Sequence, residues 1–347
     1  MTEANNERET ETPPLFVGLI AQADEAGRFA EAIGACPALE LRAQAGMAQS
    51  DALPGVPWFD DTRVLITQGE VAALVIATSP RVGVEVGELA LSHGMPVWRR
   101  PPLGRNFAEA IEVARRARTA DVVFHVASWW AHVGEDIRWV LGLDAEPELV
   151  FSEVHVSAAG PPLESWRSSV AESGGGVLMH DAYAALEALM AIRGLPESVV
   201  GAIGRCRRRS SEAPRETEDV AAAILRYEGG GTGLVHVTWD LPPLCQRTVH
   251  HGRETSAQYN ERAVAALAPD GTLLEEHPLP RQFVEAELAR FAGEIRGVGR
   301  PEPMETNLGR HLAVSALLEA VYLSSRTEHP EIPRRFFEVQ KWPEPMP

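Results

Sequence analysis

Between residue 15 and about residue 128, short apolar runs alternate with amphipathic stretches, and no other feature limits the fold as strongly. The apolar runs are typical of buried parallel strands, and the stretches between them have apolar residues at helical spacing. The predicted strands are 15–21, 40–46, 71–80, 96–98 and 122–128, and the predicted helices are 26–36, 85–94 and 106–118. We therefore predict a Rossmann-type domain, a doubly wound parallel α/β sheet, over residues 15–127.

The pattern changes after residue 128, where consecutive strand-like runs and glycine-rich turns such as 228–233 replace the regular alternation. Such runs favour antiparallel pairing. We predict an α+β domain over residues 128–347, with a largely antiparallel open sheet and flanking helices. A long helix is expected at 177–193, and two more are expected at 283–297 and 309–326.

Charge and composition limit the partners and the compartment. Lys and Arg number 32 against 49 Asp and Glu, so the net charge of −17 disfavours nucleic acids and anionic membranes. The three cysteines are far apart, which indicates neither a disulfide framework nor a zinc knuckle. Residues 1–14 are polar and acidic, unlike a signal peptide, and no apolar window has the length of a membrane span. We expect a disordered tail over residues 1–14 and a cytoplasmic protein.

The segment 166–196 contains a Trp-Arg pair, a triple glycine, a long helical pattern and a Gly-x-Pro exit. With these features it resembles the glucose-fructose oxidoreductase and inositol dehydrogenase family, Gfo/Idh/MocA. The resemblance extends along almost the whole chain, including 17–20, 76–80, 102–110 and the last long helix. It implies the two-domain fold, a homo-oligomer paired through the C-terminal sheet, and NAD(P)-dependent chemistry on a sugar or polyol.

The chain departs from the family at the cofactor motif. The glycine positions of G-x-G-x-x-G are Ala21, Ala23 and Ala26, and two carboxylates, Asp24 and Glu25, lie between them. A Cβ in that loop opposes close approach of a diphosphate, and the carboxylates repel it. Gly46 occupies the position of the acidic residue that holds the adenosine ribose. We predict a degenerate site, and any remaining contacts would come from Ala21, Ala23, Ser79, Pro80, Arg99 and Arg100.

The catalytic positions also differ. Pro101 stands at the family's lysine position, and a register shifted by one would place Arg100 there, whose guanidinium is a poor acid–base catalyst. His180 stands at the family's aspartate position and Ala184 at its histidine position. A replacement dyad of His180 with Asp181 is disfavoured, because adjacent helical residues point about 100° apart.

Other side chains are open to two interpretations. Trp129 and Trp130, at the end of the last predicted strand, either stack on a ligand or pack in the core. Trp166, Arg167 and His180 are candidates for a small-molecule pocket. A basic cluster either binds an anion or forms a solvated, salt-bridged strand end; it comprises Arg205, Arg207, Arg208, Arg209 and Arg215. The histidines show no metal-ligand spacing, and no metal site is predicted.

Two functions of different class follow. The first hypothesis is a pseudo-oxidoreductase that keeps the scaffold, and a small-molecule pocket, without nicotinamide-dependent hydride transfer. The alternative is a divergent NAD(P)-dependent oxidoreductase that acts on a sugar, a polyol or a related alcohol. A hydrolase or lyase that uses His180, or the carboxylates Asp24 and Glu25, is a third class.

Overall fold

The computed structural model describes residues 13–141, 149–206, 215–260, 262–279, 282–299 and 302–343. The predicted tail 1–14 therefore lies almost entirely outside the described residues. The strands are β1 Leu15–Ala21, β2 Leu39–Ala45, β3 Ala73–Ala77, β4 Val97–Arg99, β5 Phe124–Val126, β6 Phe151–Ala158, β7 Ser198–Gly204, β8 Val220–Arg226, β9 Thr232–Trp239, β10 Cys245–His251, β11 Ser256–Tyr259, β12 Ala263–Leu267 and β13 Leu273–Pro278. The helices are α1 Ala23–Gly34, α2 Thr62–Gln68, α3 Pro80–Ser92, α4 Phe107–Ala120, α5 Trp130–Leu141, α6 Val170–Ser173, α7 Val177–His180, α8 Tyr183–Arg193, α9 Phe283–Arg296, α10 Met304–Thr327 and α11 Arg334–Gln340.

The first sheet is the predicted parallel, doubly wound one. Its strands lie in the order β2-β1-β3-β4-β5, and every pairing is parallel. All five residues of β3 are buried because helices cover both faces of the sheet. The strand order reverses between β1 and β3, and ligands of such sheets bind in the crevice at this point.

The second sheet has eight strands in the order β13-β12-β11-β10-β6-β9-β8-β7. Its pairings are antiparallel except for β6 with β9, which confirms the predicted α+β arrangement. Buried and more exposed residues alternate along β9, since one face packs on helices and the other is open. α8 and α10 contribute to the core on the covered face.

The helices that follow the second sheet pack back onto the first domain. α9 places Leu288 and Phe291 in the core beside β1 and α1, and α11 places Phe337 in the core beside α4. The predicted boundary at residues 127/128 therefore separates the strands of the two sheets but not the helices. Within the described residues, no helix has the length and apolarity needed to span a bilayer.

Two local predictions were wrong. The helix expected at 177–193 is two helices, because α7 ends at His180 and α8 begins at Tyr183. The Asp181 side chain between them accepts a hydrogen bond from Trp239 Nε1 at 2.8 Å. Trp129 and Trp130 do not end a strand, since β5 stops at Val126 and Trp130 is the first residue of α5.

Candidate functional site: the cleft between the two sheets

The crevice at the end of β1 is bounded by the first turn of α1. Helix α1 starts at Ala23, two residues after β1 ends, so its N-terminus faces the place where a dinucleotide fold binds a diphosphate. Glu25 lies in this first turn and is only 9% exposed. A buried carboxylate at a helix N-terminus is stabilised by the helix dipole. The chain thus supplies its own anion at the position of the cofactor phosphates.

Two arginines approach the Glu25 carboxylate from different parts of the chain. Arg100, which follows β4, brings Nη1 to 2.6 Å from Glu25 Oε1. Arg167, from the Trp-Arg pair of the second domain, brings Nη2 to 3.7 Å from the same oxygen. Arg28, three residues along α1, lies at 3.9 Å from the other carboxylate oxygen and is largely exposed. The ion pair therefore links the first domain to the second across the crevice.

His180 lies in the same charged cluster but points to Trp166. The two rings meet edge to face with centroids 5.1 Å apart. Burial lowers the pKa of His180 well below its ordinary value, and the positive charges of Arg167 and Arg100 lower it further, so the imidazole is neutral. Among the described residues, neither His180 Nε2 nor Trp166 Nε1 has a hydrogen-bond partner, although both atoms are enclosed. His180 Nε2 can therefore accept a hydrogen bond beside the cleft, and Trp166 Nε1 can donate one.

Asp181 takes different partners from its neighbour. It accepts the Trp239 hydrogen bond and lies 3.9 Å from Arg167 Nη1. Burial raises its pKa, whereas the Trp239 hydrogen bond and the arginines oppose that shift. His180 and Asp181 therefore do not form a dyad, as the helical geometry predicts.

The loop after β3 is tied to the second domain. Ser79 caps α3 and donates a hydrogen bond to Glu172 Oε2 at 3.1 Å. Arg81 Nε contacts the other oxygen of Glu172 at 2.7 Å. Pro80 is the first residue of α3 and is buried. Two polar links thus cross the cleft, one through Glu25 and one through Glu172.

An open cavity of about 920 Å³ lies beside these links. Gln22, Asp24, Trp166 and Glu172 are among its lining residues. Its carboxylates are Asp24, Glu164, Glu172 and Glu216, whereas its arginines, Arg81 and Arg215, are both ion-paired. The cavity is large enough for a small molecule and carries excess negative charge.

Arg99 is turned away from the cleft. It is 2% exposed, and its guanidinium donates to the carbonyls of Gly83, Arg100 and Pro102. Burial lowers the pKa of Arg99 to about 10. Of the two arginines predicted to grip phosphates, only Arg100 reaches the cleft, and Glu25 neutralises it.

The residues present do not fit a nicotinamide dinucleotide. The two alanines that flank the turn add Cβ atoms, and the α1 N-terminus already holds the Glu25 carboxylate. At the ribose position, Gly46 has φ +91°, and a Cβ there would lie 2.9 Å from the Ala21 carbonyl oxygen. Gly46 therefore serves the local backbone, and no acidic side chain can replace it without strain. Pro101, at the family's lysine position, has no proton to transfer.

The triple glycine has a packing role that needs no catalysis. Gly174 has φ +81°, and a Cβ there would overlap the backbone of Arg105. A Cβ on Gly176 would overlap the carbonyl oxygen of Glu218. The Glu218 carboxylate accepts the Gly176 N–H at 2.7 Å and the Tyr322 hydroxyl at 2.9 Å. These contacts account for glycine at positions 174 and 176 by close packing alone.

The remaining predicted residues lie elsewhere. Trp129 and Trp130 pack in a cluster with Tyr259 and Ile137, and the Trp129 and Tyr259 rings are 5.6 Å apart. Ala184 is in the first turn of α8 and brings no acid–base group.

Arg215 is buried, so the solvated strand end, one of the two interpretations of the basic cluster, does not hold for this residue. It donates to the Pro161 carbonyl, forms an ion pair with Asp240 and lies over the Trp239 ring. Arg205 is described, whereas Arg207, Arg208 and Arg209 lie outside the described residues. No group of three potential metal ligands occurs within the part of the chain that the structure describes.

The sequence did not predict a role for Glu172 or the pairing of Glu25 with Arg100 and Arg167. Glu172 is a surface-type residue six positions after Trp166, and its partners Ser79 and Arg81 are about 90 positions earlier in the chain. The sequence showed only two unusual carboxylates, Asp24 and Glu25, at a turn that binds phosphate in dinucleotide folds.

Comparisons with known proteins agree with this architecture. Residues 148–258 match the model of the GFO/IDH/MocA C-terminal domain. No curated protein matches the chain. An Agrobacterium radiobacter oxidoreductase, solved with NAD+, L-tartaric acid and magnesium, is 17% identical with a TM-score of 0.76, over 93% of this chain and 99% of that one.

Two further solved structures are similar. The WlbA dehydrogenase of Bordetella pertussis, solved with NADH and UDP-GlcNAcA, is 20% identical with a TM-score of 0.74, over 92% of this chain and 99% of that one. An oxidoreductase from Desulfitobacterium hafniense, described as putative and NADPH-dependent, is 16% identical with a TM-score of 0.78, over 94% of this chain and 99% of that one. At these identities the likeness shows the fold alone. The chain therefore shares the two-sheet fold of these structures, and residues 148–258 match the GFO/IDH/MocA C-terminal domain.

Proposed function

We propose that this protein keeps the GFO/IDH/MocA scaffold without nicotinamide-dependent hydride transfer and binds a small molecule in the cleft between its domains. The observation that carries the proposal is the Glu25 carboxylate at the N-terminus of α1, paired with Arg100 and Arg167. A diphosphate would have to displace this carboxylate and also tolerate the side chains at Ala21 and Ala23.

The chemistry of the site supports the same proposal. Proline replaces the lysine that would move the hydroxyl proton, and alanine replaces the histidine on α8. His180 remains, with its pKa lowered and its Nε2 free of partners among the described residues. A neutral imidazole with a free nitrogen and an indole N–H with no partner suit hydrogen bonding to a ligand. The cavity beside them gives such a ligand room.

A second candidate is a divergent NAD(P)-dependent oxidoreductase acting on a sugar, polyol or related alcohol. The similarity over more than nine-tenths of the chain to proteins solved with NAD+ or NADH favours it. In this case Ser79, Pro80 and Arg100 would have to contact the cofactor, and Glu25 and Glu172 would have to release their partners.

Cofactor carried through purification separates the two candidates. The purified protein is denatured, and the released small molecules are identified by mass spectrometry. We expect no nicotinamide dinucleotide in the extract, and hence no reduction of NAD or NADP with a panel of sugars and polyols. A stoichiometric dinucleotide, or turnover that disappears in His180→Ala, would favour an enzyme instead.

A further inference from the structure

Two guanidinium groups converge on one carboxylate at the junction of the domains. Arg100 belongs to the loop after β4, and Arg167 belongs to the short turn of the second domain that contains Trp166. Both contact Glu25 Oε1, at 2.6 Å and 3.7 Å. Asp181, 3.9 Å from Arg167, balances the second positive charge. The position between the two arginines is therefore matched in charge to one monoanion, which is the Glu25 carboxylate, and the exposed Arg28 lies 3.9 Å from its other oxygen.

Glu25 contacts Arg100 through only one of its two carboxylate oxygens. Arg100 Nη1 lies 2.6 Å from Glu25 Oε1, whereas Glu25 Oε2 is enclosed and has no hydrogen-bond partner within the described part of the chain. Guanidinium and carboxylate groups that meet freely form two parallel hydrogen bonds. The Glu25 side chain is fixed to the first turn of α1, so its carboxylate approaches Arg100 closely without adopting that alignment.

We propose that Arg100 and Arg167 form a binding site for a small monocarboxylate, and that the chain occupies this site with its own Glu25. The proposal rests on the proposed function in one respect: the same carboxylate stands where a cofactor diphosphate would bind. A monocarboxylate in the place of Glu25 keeps two carboxylates, its own and that of Asp181, against the two arginines. A dianionic phosphate would add uncompensated negative charge beside Asp24, Asp181 and the acidic cavity.

Rescue by added carboxylates tests the site directly. Glu25→Ala removes the carboxylate and one methylene group, which leaves Arg100 without its carboxylate partner, leaves Arg167 with Asp181 alone, and opens a small space. We expect a lower melting temperature that acetate or propionate raises by several degrees in a saturable manner, because a ligand that binds only the folded state stabilises it. Acetamide, which has the same shape but no charge, and sodium chloride at matched ionic strength should not reproduce the rise.

Two variants serve as matched controls. Glu25→Gln removes the charge but keeps the side chain in place, so it should lose stability without responding to acetate. Asp24→Ala, one residue earlier on the exposed side of α1, should lose little stability and show no response. An equal response to acetate in all three proteins, or none in Glu25→Ala, would overturn the proposal.

Poor folding of Glu25→Ala would not block the test. The variant is then refolded from denaturant in acetate and in chloride, and the folded fraction is compared. We expect a higher yield in acetate, and equal yields would contradict the site. If wild-type protein bound NAD while acetate still rescued Glu25→Ala, the proposed function would fail and the carboxylate site would stand. The opposite pair of results would remove only the site.

Discussion

Single residues determine which side chains line the cleft and how closely the triple-glycine turn packs. The sequence shows directly that alanine stands at positions 21, 23 and 184 and proline at 101. None of these residue types has a side chain that can act as an acid or a base. The ion pairs of Glu25 could not be predicted, since Arg100 and Arg167 approach it only after both domains fold. The sequence also could not predict that Arg99 points away from the cleft, because its partners are backbone carbonyls, which any residue type provides.

Gly176→Ala tests the packing role of the triple glycine. The added methyl group would overlap backbone atoms of Glu218, so we expect a loss of unfolding free energy of about 3 kcal/mol or more. Gly27→Ala, on the exposed side of α1 with no atom within 4 Å of the new Cβ, should gain up to about 1 kcal/mol. Urea unfolding of both variants gives the comparison. A neutral Gly176→Ala would show that the turn tolerates a side chain.

At the scale of elements, periodicity predicted most helices and strands within a few residues. The predicted strand 15–21 coincides with β1, and the predicted helix 283–297 differs from α9 by one residue. The break between α7 and α8 could not be predicted, since the apolar spacing continues through it and the Asp181–Trp239 hydrogen bond is a tertiary contact. A local sequence pattern predicts an element from its own residues, and it carries no information about a contact between residues 58 positions apart.

Helix α4 begins with a side-chain cap from Asn106. The Asn106 side chain caps the helix by accepting the Glu109 N–H at 2.9 Å, and Glu109 accepts the Arg105 N–H in return. Asn106→Ala should lower the unfolding free energy by about 1 kcal/mol, whereas Asn106→Ser keeps an acceptor and should retain most of it. Thermal unfolding distinguishes them, and equal losses would argue against a capping role.

At the scale of the whole molecule, buried charges join the domains. His125 on β5 bonds Glu287 of α9 at 2.8 Å, and Glu287 also accepts the Ser128 N–H. The Ser128 hydroxyl donates to Glu187 of α8. Burial opposes the charged form of His125, but its bonds to Glu287 and Glu294 raise its pKa to about 9. Burial raises the pKa of Glu187 to about 7.

These shifts give the stability a pH dependence. Both groups hold protons in the folded state more tightly than in the unfolded chain, so stability should fall as pH rises. The stability that depends on the Glu187 proton is lost between about pH 4.5 and 7, and the stability that depends on the His125 proton is lost between about pH 6.5 and 9. The His125 contribution is on the order of 3 kcal/mol. Urea unfolding across pH 6 to 9 should show this decline, and His125→Gln should flatten it; an unchanged slope would contradict the assignment.

We predict that copies of this chain assemble through the second sheet. The open face of the second sheet exposes Val200 and Ile224 to solvent, at 44% and 50%. We expect two copies to pair through this face. Light scattering after size exclusion should therefore give at least twice the mass of 37.7 kDa for the wild type and a lower mass for Ile224→Glu. A monomeric wild type would refute the pairing.

In the proposed function, Glu25 and its two arginines take the place of the cofactor diphosphate. Calorimetric titration with NAD, NADH, NADP and NADPH, on protein shown to carry no dinucleotide, measures whether that place is closed to a cofactor. We expect no heat of binding with any of the four. Micromolar binding of one dinucleotide would contradict this expectation and restore an oxidoreductase as the better account of this chain.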